Sequence, residues 1–164
     1  MLIRLRSRRR FVKGKPVDRC WTMCYCAVMS ENKTAPALVT AILCDDVRLE
    51  VGGKFSLMGL FEGIAATAFP VVHPRFAVWC EWTGGRGEFT ATLRLLAPDG
   101  RTVMSSSDSR FSLHSGSQRH RDVSVRFNTT FPVPGIYWIE VLLDGVQAAR
   151  LPLPVQQENR QNVH

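Results

Sequence analysis

The chain has 164 residues, 45 % of them hydrophobic and 21 % charged, which suits one folded domain with its own core. At this length folding buries roughly 70 % of the unfolded surface, so stability requires neither a metal nor disulfides. The composition excludes disorder over most of the chain, and the lack of an apolar run of about 18 residues excludes a transmembrane helix.

Lysine and arginine number 21 against 14 aspartate and glutamate, a net charge of +7. Residues 1–36 carry that whole excess, with nine basic and two acidic side chains, whereas residues 37–164 carry twelve of each. A neutral body lacks the basic face that phosphate recognition needs, which argues against nucleic-acid binding through the folded domain. Within the basic segment, Ser7-Arg8-Arg9-Arg10-Phe11-Val12-Lys13 resembles the bacterial twin-arginine export motif. The uncharged stretch that should follow is interrupted by Lys15, Asp18 and Arg19. Three readings stand: a translation start at Met29 leads, and an export signal and a basic arm that contacts nucleic acid or an anionic surface follow it equally. Cys20, Cys24 and Cys26 match no zinc spacing and have no histidine nearby. The expected organisation is a basic extension over 1–36, a domain over 37–155 and a polar tail over 156–164. The expected location is cytoplasmic, or periplasmic if the twin-arginine-like motif acts.

From residue 37 the pattern has period two. Strands are predicted over 38–50 and 54–63 around Gly52-Gly53, with one short helical turn over Gly63–Phe69. Phe76, Val78, Cys80 and Trp82 then alternate with Ala77, Trp79 and Glu81, and Phe89, Ala91, Leu93 and Leu95 with Thr90, Thr92 and Arg94. Residues 105–122 read as a polar hairpin loop, and Val123, Val125, Phe127 and Thr129 alternate with polar neighbours after it. Pro134-Gly135 opens a strand over 136–143, Asp144-Gly145 turns the chain, and a closing strand ends at Val155. About eight strands at this spacing predict an all-β antiparallel sandwich, with a closed barrel as the alternative. Pro-Gly-x-Tyr resembles the penultimate strand of immunoglobulin-like sandwiches, where such a tyrosine bonds back to the preceding corner. Cys44 and Cys80 lie in strand-like runs and are expected to be reduced and buried.

Cys44-Asp45-Asp46-Val47-Arg48, Gly53-Lys-Phe-Ser-Leu-Met-Gly-Leu-Phe61 and Gly135-Ile-Tyr-Trp-Ile-Glu-Val-Leu-Leu-Asp-Gly145 resemble an uncharacterised bacterial family of short single-domain proteins. The resemblance covers residues 37–155. It implies a β-sandwich without an assigned activity, catalytic residues or cofactor, and it supports the start at Met29.

Asp45-Asp46 is the most conspicuous acidic pair, but neighbours on a strand point to opposite faces, so both carboxylates reach one metal only across a bulge. Asp108, His114, His120 and Asp122 accompany serines in the 105–122 segment without a Gly-x-Ser-x-Gly elbow. No catalytic, cofactor or metal residue is therefore assigned. Alternation sends Trp79 and Trp138 to faces opposite the core, beside Glu81 and Glu140, and exposed tryptophan commonly anchors a partner. The leading expectation is a non-enzymatic binding module using Trp79, Glu81, Trp138 and Glu140, through self-association or a protein partner. An exported carbohydrate- or envelope-binding domain is the second reading. A metal-dependent enzyme using Asp45 and Asp46 is the third.

Overall fold

The computed structural model describes residues 33–106 and 108–158, so the Ser7–Lys13 motif, Cys20, Cys24, Cys26 and Met29 lie outside the described residues. The first five strands are β1 (Ala37–Leu49), β2 (Phe55–Leu60), β3 (Ile64–Ala66), β4 (Val71–Thr83) and β5 (Gly87–Leu96). The remaining five are β6 (Thr102–Ser105), β7 (Ser109–Leu113), β8 (Arg119–Phe131), β9 (Gly135–Leu143) and β10 (Val146–Gln157). One sheet has the order β2-β1-β4-β8 and the other β3-β10-β9-β5-β6, with β7 also paired to β5. No helix occurs among the described residues, so none there is long and apolar enough to cross a membrane.

The neighbour relations β1-β4-β8 and β5-β9-β10 are those of strands A-B-E and C-F-G in an immunoglobulin sandwich. The tyrosine corner is present as the sequence predicts: Tyr137 is buried and its hydroxyl donates to the Val133 carbonyl at 2.9 Å. Asp144 and Gly145 have φ of 49° and 80°, the two positive values that a type I′ turn needs, and Leu143 pairs with Val146 across it.

Several expectations are corrected. Among the described residues there are ten strands, against an expected eight or so. Residues 64–66 are not a helical turn but a strand, and it pairs parallel to β10 through Ile64–Val155, so the larger sheet is mixed. The 105–122 segment is not one loop: it holds β7, a turn at 114–118 and the start of β8. Phe111 explains this, because it is buried and needs β5 beside it, where it pairs with Phe89. With β7 drawn onto β5, no strand among the described residues flanks the far side of β8, where strand D would lie.

The core lies between the sheets. Phe76, Val78, Cys80 and Trp82 from β4 meet Phe89, Ala91, Leu93 and Leu95 from β5 and Tyr137, Ile139 and Val141 from β9. Strand β8 departs from its apparent pattern. Its cross-strand partners are fixed by β4: Phe76, Val78, Cys80 and Trp82 pair with Arg126, Ser124, Asp122 and His120. Paired residues share a face, so the polar set points toward the core, while Val123, Val125 and Phe127 lie on the outer face. Asn128, at φ 49°, then breaks the alternation and returns Thr129 and Phe131 to the interior.

The end of the β1–β2 hairpin folds over that outer face. Phe55 pairs with Leu49, and Trp79 pairs with Ile42. Those two β1 positions are seven residues apart, roughly 23 Å of straight strand at about 3.3 Å per residue. Phe55 and Trp79 nevertheless touch edge to face, with ring centroids 4.8 Å apart. Strand β1 must therefore bend back. Gly59, at φ +65°, lies against the Asp45 side chain of β1, where a Cβ would overlap the carboxylate.

Candidate functional site

The two predicted tryptophan–glutamate pairs occupy opposite outer faces of the sandwich and do not form one site. Trp79 faces away from the core as alternation requires, but it is only 6 % exposed because Phe55 covers it. Its predicted role as an open anchor is corrected on that ground. Glu81, beside it, meets Arg119 at 3.0 Å and Arg121 at 3.6 Å, and the Arg121 guanidinium lies 5.9 Å from the Phe55 ring.

In the other pair only the tryptophan is more accessible, since Glu140 is as covered as Glu81. Across β5, β9 and β10 the register places Arg94, Glu140 and Arg150 in one row and Leu96, Trp138 and Pro152 in the next. Trp138 is half-buried, with the Arg150 guanidinium 4.3 Å from its ring centroid. Glu140 lies between the arginines, 3.5 Å from Arg94 and 4.0 Å from Arg150. Such half-exposed ion pairs contribute little stability, about 0–1 kcal/mol, and the stacked guanidinium about as much. Their effect is positional: Glu140 draws both guanidinium groups toward the row beside Trp138, and that of Arg150 lies over the indole. Exposed Ile136 and Pro152 extend the apolar surface beside it. The arrangement presents a broad indole face rimmed by two cations, suited to an apolar side chain with an acidic neighbour.

Asp45 and Asp46 are adjacent on β1 and do not converge. Asp45 is exposed, while one Asp46 oxygen bonds Arg75 and the other bonds Arg48 at 3.1 Å. The Arg48 hydrogen bond, helped by the Arg75 charge, holds the Asp46 carboxyl below its ordinary range. Among the described residues no three His, Cys, Asp or Glu side chains cluster as metal ligands would. The serine–histidine–aspartate set of 105–122 is also dispersed. Asp108 accepts from Thr92 at 2.8 Å, and the His114 backbone N–H donates to Gln118. Cys44 and Cys80 are free and buried. They pair with Ala77 and Ala41 respectively, which puts them on opposite faces of the sheet and out of reach of each other. Burial, with the Asp122 charge adding, pushes the Cys80 thiol up to about 12.

His120 crosses between the sheets and stacks on Phe111, with centroids 4.0 Å apart and planes 2° from parallel. Its buried Nε2 has no hydrogen-bond partner among the described residues. Burial lowers its pKa below the ordinary 6.5, against a smaller opposing pull from Asp122. The unfolded chain then binds the proton more readily, so this group's contribution is intact above pH 6.5 and is lost as pH falls toward the depressed folded value. His120→Phe keeps the stack and removes the titration. Thermal melts across that window are expected to fall for the native chain and to stay flatter for the variant.

A family model described as a family of unknown function (DUF6941) matches residues 39–156. No curated protein matches. Among solved structures, the chain is similar to an immunoglobulin-like protein from Pseudomonas aeruginosa, at 15 % identity over 76 % of this chain and 99 % of that one, with a TM-score of 0.40.

Proposed function

We propose that this chain, which belongs to the DUF6941 family of unknown function, is a non-enzymatic interaction module that binds a protein partner through the outer face of its larger sheet. One observation carries the reading: Trp138, half-buried, lies under the Arg150 guanidinium beside exposed Ile136 and Pro152. Nothing in the fold requires that placement, since the indole contributes no packing between the sheets. The partner surface that fits is an apolar side chain flanked by carboxylates, which would meet Arg94 and Arg150.

The test is capture from lysate of the native cell with the full chain as bait, read by quantitative mass spectrometry beside Trp138→Ala. A partner retained by the native chain and lost by a variant that still folds supports the reading. Equal capture by both chains contradicts it.

A further inference from the structure

Strand β8 is an edge strand of 13 residues, unpaired on its far side among the described residues. Edges of that length are normally shortened, covered or paired. Its inward face carries Asp122 and Arg126, four residues apart and on the same face. Arg126 Nη2 is buried without a hydrogen-bond partner, at the mouth between the sheets beside Phe76 and Met104.

We propose that β8 pairs antiparallel with β8 of a second copy of this chain, about a two-fold axis at Ser124, and so joins two four-stranded sheets into one. A two-fold normal to the sheet sets every residue opposite one on the same face, so only registers shifted by two positions are allowed. In the register centred on Ser124, each Asp122 faces an Arg126, Val123 faces Val125, and Arg121 faces the exposed Phe127 ring. The opposite charges therefore meet twice, and a guanidinium lies over an aromatic ring twice. Centring on Val123 sets Arg126 against His120, and centring on Val125 sets Asp122 against Asn128. Centring on Asp122 or Arg126 brings like charges together. The seven residues 121–127 that pair end just before Asn128, where the positive φ breaks the alternation of faces. Self-complementarity of charge thus selects one register and one occupant. The contact uses a different sheet from Trp138 and stands or falls separately from the proposed partner face.

Sedimentation velocity of the full chain at micromolar concentration tests this. The native chain is expected to sediment as a dimer. Asp122→Arg and Arg126→Asp are each expected to raise the dissociation constant about tenfold or more, because two attractions become two repulsions. An equimolar mixture of the two variants is expected to restore the dimer, since one carries cations at both positions and the other anions at both. The doubly exchanged chain should also dimerise. Restoration in the mixture cannot arise from misfolded chains. A monomeric native chain would overturn the proposal, leaving Asp122 and Arg126 as inward charges that guard a bare edge. So would a dimer indifferent to both substitutions, or a mixture that stays monomeric.

Discussion

Trp79→Ala is expected to cost about 3–5 kcal/mol of stability, whereas Trp138→Ala costs about 1 kcal/mol or less. Both residues point away from the core, so a reading by alternation alone treats them alike. The difference arises from the β1–β2 hairpin, which returns over the smaller sheet and seats Phe55 against Trp79. Truncating Trp79 removes a large buried side chain and leaves Phe55 and the buried Ala77 and Cys44 without their neighbour. Trp138 loses only the stacked Arg150 and a half-exposed surface. Against a typical total of about 5–15 kcal/mol, the first loss is large. Urea denaturation of both variants, with slopes matching the native chain, measures it as a shift in midpoint. Equal, small shifts for both would mean that the hairpin does not cover Trp79.

Tyr137→Ala is expected to be of similar size, about 3–5 kcal/mol, and Tyr137→Phe to lose about 1–2 kcal/mol of that. The ring is fully buried and meets Phe131 edge to face at 4.9 Å, tying the end of β8 to the start of β9. The hydroxyl adds the 2.9 Å bond to Val133, the only protein partner it donates to among the described residues. Phenylalanine keeps the ring contact and leaves the Val133 carbonyl to water. The two variants therefore separate packing from the corner bond. Identical stabilities for Tyr137→Phe and the native chain would show that the corner bond contributes nothing net.

Much of this architecture is legible in the sequence because its signals are local. The Asp144-Gly145 turn, the inward Phe76–Trp82 set and the tyrosine corner each depend on residues close in the chain. What escapes depends on breaks in period. Counting back from the Asp-Gly turn sets Ala149 opposite Glu140, but an irregularity between Gln147 and Ala149 moves Arg150 there instead. The contact of Arg150 with Trp138 is invisible without that slip. Strand β8 misleads in a different way. Val123, Val125 and Phe127 look like a core face, yet β4 dictates the opposite one, and the outer face tolerates them because the hairpin and the edge lie beside them. The cover on Trp79 follows from a bend in β1, whose neighbour β2 carries Gly59, a glycine set inside an otherwise regular strand.

The two outward tryptophans stand in different states, Trp79 sealed by a hairpin and Trp138 half-buried under a guanidinium. Hydroxyl-radical footprinting of the native chain, read residue by residue by mass spectrometry, tests that most directly. Trp138 is expected to oxidise readily, with Trp79 protected nearly as well as Trp82, which is fully buried. Oxidation of Trp79 as fast as that of Trp138 would contradict the folded-over hairpin, and protection of Trp138 in the isolated chain would contradict an open partner face.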